Sequence, residues 1–289
     1  MFHRFLLLTA LVASVALSGC AINVTPSTFI SQDAEQTPVD TTSLHASANQ
    51  DETLLGITRV KLVNSHGLLL RGIALSYPDA IANIVIYPGN GMTISKANKF
   101  LHRFSKLPAN VLIVDYQGMG ASEKASRITI DALKEDALLV FDHAKEVFHN
   151  DNPVLLHGVS MGSLIAPYVA SQRKVDGLVL DGAIDSVPDL VNNLVPVWSK
   201  LFTRISVSPE LNTIDNSECI AAYRGPLLIL AGEEDDMTPV AASERLLAES
   251  PSEFKQLVRV PEATHAMAMK YDITIAAYQA FISALTTDR

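Results

Sequence analysis

The sequence predicts an α/β fold, a mostly parallel sheet covered by helices on both faces. Three observations carry this. Short, continuous apolar runs alternate with longer amphipathic segments, which is how doubly buried strands and their covering helices read. With 289 residues, 48% of them hydrophobic, the chain can bury one large core. The run Pro153–His157 breaks into Gly158-Val159-Ser160-Met161-Gly162, and an apolar, small-residue segment follows at once. Strand, tight turn and helix thus succeed one another around a serine.

The elements follow in order. Residues 21–53 are polar, with Pro26 and Pro38, and read as a flexible tether over 20–53. Ile57–Val63 alternates apolar and polar residues, Asn64-Ser65-His66-Gly67 is a turn, and Leu68–Leu75 completes a hairpin. Ala82–Tyr87 is a short apolar strand that runs into Pro88-Gly89-Asn90-Gly91. The spacing predicts a helix from Thr93 to Leu107, stopped by Pro108, and then a buried strand Val111–Asp115. A helix over Ile130–His149, the strand leading to Ser160, a helix to Arg173 and a strand Val175–Asp181 continue the alternation. Residues 186–224 interrupt it with three prolines and the sole tryptophan, Trp198, and form a candidate cap; a long irregular crossover is the competing reading. Strand Pro226–Ala231, helix Pro239–Ser250, strand Lys255–Val260 and helix Tyr271–Thr286 close the domain, which is expected to span 54–289.

The N-terminus has its own logic. Met1-Phe2-His3-Arg4 is a basic start, Phe5–Leu17 is almost wholly apolar, and Leu17-Ser18-Gly19-Cys20 ends the run with small residues before a cysteine. The run is short for a permanent span and has the anatomy of a signal peptide over residues 1–19. Leu-Ser-Gly-Cys resembles the lipobox of bacterial lipoproteins. That resemblance implies cleavage before Cys20 and lipid attachment there, hence a palmitate-type anchor that holds a soluble domain on a membrane. Ala21 rather than aspartate follows the cysteine, which points to the outer membrane of a bacterial envelope. The other cysteine, Cys219, then lacks a disulfide partner and is expected to be a buried, inert thiol.

Lys and Arg number 22 against 31 Asp and Glu, for a net −9, and no basic cluster interrupts the acidity. Nucleic acid is an unsuitable partner, because phosphate binding needs a positive face.

A serine hydroxyl is a weak nucleophile that needs a base and a group to orient that base. In a strand-to-helix elbow the chain order is serine, acid, histidine. Of the eight histidines, only His265 follows Ser160, in the loop between the last strand and the last helix. His157, in the nucleophile strand, reads as structural. Carboxylates after strand Pro226–Ala231 fall in Gly232-Glu233-Glu234-Asp235-Asp236-Met237-Thr238-Pro239, and physics alone leaves the choice among them open. Asp185 is the competing position. The amide of Met161 opens a helix and is free to donate to an oxyanion; the amide of Asn90, between glycines, is the second candidate donor.

Together these segments resemble an α/β-hydrolase-fold serine hydrolase from Leu54 to Ala284. The resemblance places the acid at Asp235 through the pattern Gly-x-x-Asp-x-x-x-Pro. It also matches Asp115-Tyr116-Gln117-Gly118-Met119-Gly120-Ala121-Ser122 to a segment that shapes the pocket wall. It implies an eight-stranded, mostly parallel sheet with an antiparallel hairpin end, and a Ser160–Asp235–His265 triad. The expected activity is cleavage of a small-molecule ester without metal or cofactor. Within the same resemblance, serine aminopeptidase and monoacylglycerol lipase sequences are similar. Peptidase or thioesterase chemistry and a non-catalytic envelope binding protein are the alternatives. One departure stands out: Pro88 occupies the position where many members have histidine.

Overall fold

The computed structural model describes residues 20–48, 54, 56–196, 198–199 and 203–287. The expected signal peptide, residues 1–19, lies outside them.

The centre is an eight-stranded sheet. Its strands, in chain order, are β2 (Gly56–Val63), β3 (Leu69–Ser76), β4 (Ala82–Tyr87), β5 (Ala109–Val114), β6 (Val154–Val159), β7 (Gly177–Asp181), β9 (Leu227–Gly232) and β10 (Lys255–Val260). Across the sheet the order is β10-β9-β7-β6-β4-β5-β3-β2. The pairs from β5 to β10 are parallel, and β3 runs antiparallel to both β2 and β5. The expected antiparallel hairpin end is therefore present. Strand β6 sits near the middle, with Leu156 opposite Val85 on one side and Leu178 on the other.

Alternation along each strand divides the core between two faces. Leu112, Leu156, Leu180 and Ile229 pack beneath α4 (Ile130–Phe148) and α5 (Gly162–Gln172). Ile84, Ile113, Leu155, Val179 and Leu228 meet Phe100, Phe104, Tyr278 and Phe281, the last two from α9 (Asp272–Thr287). Helix α4 presents Ile130, Leu133, Ala137, Val140, Phe141 and Ala144 to the sheet at helical spacing, and Thr129 caps its start by accepting the Ala132 amide. His157 is wholly buried, stacked on Tyr278 with centroids 5.7 Å apart and flanked by Phe104, as a structural histidine should be.

Three expectations need correction. The helix expected over Thr93–Leu107 is instead a 3-10 turn (Ile94–Lys96), a short helix α3 (Asn98–His102) and a second 3-10 turn (Arg103–Lys106). The buried positions Ile94, Ala97, Phe100, Leu101, Phe104 and Leu107 recur mostly every third residue, which suits the tighter helix.

The tether expected over 20–53 is not loose across its described part, residues 20–48. It holds a strand β1 (Cys20–Val24), a single-turn helix α1 (Pro26–Phe29) and a helix α2 (Thr41–Ala48). Ile30 and Leu44 are buried in the core. Its polar residues bind loop backbone: the Asp33 amide donates to the Gly118 carbonyl at 2.8 Å, and the Asp33 carboxylate accepts from the Gly120 amide at 2.7 Å. Two apolar anchors and a ladder of such bonds hold a segment whose composition suggested no packing.

The candidate cap divides in two. Helix α6 (Val187–Leu194) and strand β8 (Thr203–Val207) form the departure from the repeating pattern, while α7 (Asn216–Ala222) returns to the sheet as a crossover helix beside α5 and α8 (Val240–Glu249). Strand β8 pairs in parallel with β1 outside the main sheet, Cys20 opposite Thr203 and Val24 opposite Val207. Cys219, on α7, is half-buried rather than enclosed, and burial raises its thiol pKa.

Candidate active site

Ser160 sits between the end of β6 and the start of α5 with φ of +49°, a left-handed conformation that a serine adopts only when its surroundings impose it. The constraint comes from close packing. A Cβ on Gly162 would run into the Tyr87 carbonyl, and one on Gly158 into the Gly162 carbonyl. The two glycines let the helix approach the strand, and the turn between them lifts the serine out. The Ser160 amide donates to the Asp181 carbonyl at 2.8 Å and ties the elbow to β7.

His265 reaches the elbow from the loop after β10. Its Nε2 lies 2.7 Å from Ser160 Oγ, and its Nδ1 lies 2.9 Å from Asp235 Oδ2 and 3.2 Å from Oδ1. With Nδ1 protonated toward the carboxylate, Nε2 is left to accept the serine proton.

Asp235 is the acid that faces the histidine; Glu233, Glu234 and Asp236 are exposed. Its Oδ1 accepts the amides of Met237 at 2.9 Å and Thr238 at 2.8 Å, and Thr238 Oγ1 donates to Oδ2 at 2.7 Å. Burial pushes the Asp235 carboxyl up, but the hydrogen bonds from His265 and Thr238 outweigh it and hold the group below its ordinary value. The competing Asp185 is paired with Arg245 instead.

The loop after β4 comes within contact distance of the elbow: a Cβ on Gly89 would lie 3.4 Å from Ser160 Cβ. Among the described residues, the amides of Asn90 and Met161 donate to no group of the fold. The Asn90 side chain is engaged elsewhere. Its Oδ1 accepts the Ser31 amide and its Nδ2 donates to the Phe29 carbonyl, each at 2.8 Å. Asp115 is buried at the end of β5 and holds the neighbouring loop, accepting the Ile94 and Ala121 amides at 2.8 and 2.9 Å. Burial pushes its carboxyl to about 6.

Three contributors escaped the sequence reading. Thr238 braces the acid; its only signal was its place inside Gly-x-x-Asp-x-x-x-Pro. The segment Phe29–Asp33 braces the Asn90 and Gly118 loops and carried no signal. Asp181 ends β7 fully buried within electrostatic reach of His265 and Asp235, and burial pushes its carboxyl to about 7. Its position after an apolar strand, like that of Asp115, was the available clue. Among the described residues, no group of three or more His, Cys, Asp or Glu side chains converges as metal ligands would.

Residues 78–220 match the family described as Serine aminopeptidase, S33, a span that holds Asn90 and Ser160. The uncharacterized membrane protein YNL320W of Saccharomyces cerevisiae is 29% identical over 162 residues, 54% of each chain. The α/β hydrolase domain-containing protein WAV2 of Arabidopsis thaliana is 28% identical over 173 residues, 55% of each. The chain thus spans about half the length of these curated relatives. Among solved structures, the Pyrococcus furiosus esterase Pf2001 superposes with a TM-score of 0.67 at 13% identity, covering 88% of this chain and 99% of the esterase. Est1E from Butyrivibrio proteoclasticus, solved with ferulic acid, gives 0.64 at 16% identity, covering 79% and 99%. Its sheet order and these likenesses give the chain the α/β-hydrolase fold.

Proposed function

We propose that the protein is a serine hydrolase that cleaves carboxylic esters, lipid-derived ones included, through an acyl-enzyme. The observation that carries the reading is the unbroken hydrogen-bonded line from Ser160 Oγ through His265 to Asp235, with distances of 2.7 and 2.9 Å. Ser160 Oγ attacks the ester carbonyl while its proton passes to His265 Nε2. Asp235 keeps Nδ1 protonated and favours the imidazolium that forms. The amides of Met161 and Asn90 receive the oxyanion. His265 then returns the proton to the departing alkoxide, and the alcohol leaves. Water, deprotonated by the same Nε2, attacks the acyl-enzyme and releases the acid, which restores Ser160.

The esterases among the structural neighbours support the choice of ester. The family description, serine aminopeptidase, is the reason to assay amides beside them. The envelope placement rests on the sequence before Cys20: a lipid carried there would hold the domain on the bacterial outer membrane, with an ester from that surface as its substrate.

A fluorophosphonate probe should label the wild type and not Ser160→Ala. A folded but unlabelled wild type would favour a binding protein. Acyl p-nitrophenyl esters assayed beside aminoacyl anilides decide between esterase and peptidase. Palmitate incorporation that persists in Cys20→Ser would sink the anchor.

A further inference from the structure

Among the described residues, the large apolar side chains left exposed include Leu194 and Trp198 on the cap, Ile22 on β1, and Met237 and Met267 in the loops that carry the acid and the histidine. Met237 stands two residues past Asp235, and Met267 two past His265. Helix α6 lies against the acid loop, since Asp189, Leu190 and Asn193 line a small hollow together with Met237 and Thr238. Leu194 ends that helix, and Trp198 lies just beyond it with 73% of its surface exposed. Ile22 faces Ile205 across the β1–β8 ribbon that completes the same insertion. Large exposed apolar side chains at the end of a helix that packs on the acid loop mark a contact with another phase or partner.

The occupant follows from what the ribbon is joined to. Cys20 is the first residue of β1, in register with Thr203 of the cap. The apolar run Phe5–Leu17 precedes it by only Ser18-Gly19. Whether that run stays or is replaced by acyl chains on Cys20, the membrane-inserting group is attached to the cap with no spacer, because the segment after Cys20 is packed. We propose that the cap and mouth dock face-down on a lipid bilayer, with Ile22, Leu194 and Trp198 entering its interface. Tryptophan suits that position, with an apolar body and a polar N–H. Glu233, Glu234 and Asp236 are exposed beside Met237, and the chain carries a net −9, so the face fits zwitterionic lipid and is repelled by anionic lipid. On the esterase reading, which this part of the inference rests on, Ser160 draws its substrate from the lipid side.

Trp198 is the sole tryptophan, so its fluorescence reports the contact directly. The full-length protein, reconstituted in phosphatidylcholine vesicles, should emit at shorter wavelength than an exposed indole. It should be quenched by lipids brominated on their acyl chains and be protected from aqueous iodide. Adding phosphatidylglycerol should weaken the bromine quenching, and Leu194→Glu should restore iodide access. Emission typical of water, quenched by iodide and indifferent to bromine, would overturn the docking. Full bromine quenching in Leu194→Glu would overturn the assignment to this face. Turnover of a short water-soluble ester, read in the same samples, separates the two proposals. Normal turnover with a water-exposed Trp198 defeats the docking alone; a lipid-buried Trp198 without turnover defeats the esterase reading alone.

Discussion

Asn90 and Ser31 are joined across 59 residues of sequence: the Asn90 carboxamide accepts the Ser31 amide and donates to the Phe29 carbonyl, both at 2.8 Å. The segment expected to be a loose tether therefore grips the side chain of a residue whose backbone amide is a candidate oxyanion donor. Asn90→Ala keeps that amide and removes both bonds of the grip. If the grip positions the donor, kcat should fall about 10- to 100-fold with KM little changed, as for a small misplacement of a transition-state contact. Steady-state kinetics on a soluble ester measures this, and an unchanged kcat would leave the grip with a structural role only.

The acid loop offers a comparison within four adjacent carboxylates. Asp235→Asn should lower kcat by about 10⁴, because the amide can no longer hold the imidazole in the required tautomer. Asp236→Asn, at an exposed position, should stay within about twofold of wild type. Asp185→Asn removes a partner of Arg245 and no contact to His265, so it should leave turnover of the soluble ester nearly intact. Equal losses in Asp235→Asn and Asp236→Asn would refute the assignment of the acid.

The sheet was legible because strands buried on both faces read as near-continuous apolar runs, and β4, β5, β6 and β9 are buried at every position with Asn83, Asn110 and His157 as the polar exceptions. The elbow was legible because its glycines are a steric necessity. The N-terminal segment was not. Its anchors, Ile30 and Leu44, stand far apart in a mostly polar stretch, and its partners at Gly118 and Gly120 are backbone groups that leave no mark on sequence. The acid was legible only through the family pattern, since hydrogen bonding to Met237, Thr238 and His265 singles out Asp235, and that is a property of the folded loop.

The elbow makes a sharp prediction about stability. Gly162→Ala places a methyl group against the Tyr87 carbonyl, a backbone atom of the central sheet that cannot turn aside. The overpacking should cost about 3 kcal/mol or more and lower both the soluble yield and the Tm. Gly56→Ala, where an added Cβ would meet nothing within 4 Å, is the matched control and should leave the Tm nearly unchanged. Similar Tm values for the two variants would mean that the strand–helix approach at the elbow is looser than described.

Asp181 gives the fold a dependence on pH that one substitution should remove. Burial pushes its carboxyl from 3.8 to about 7; nearby His265 and Arg103 work against the rise and Asp235 adds to it. The folded-state value thus lies above the unfolded one, and the folded chain holds the proton more tightly. Its contribution to stability is complete below about pH 4, declines as pH rises, and is gone above about pH 7. Asp181→Asn cannot lose that proton, so its Tm should gain on the wild type between pH 4 and pH 8, by an amount equivalent to at most about 4 kcal/mol. Parallel Tm curves for the two proteins across that range would show that Asp181 does not titrate in the fold.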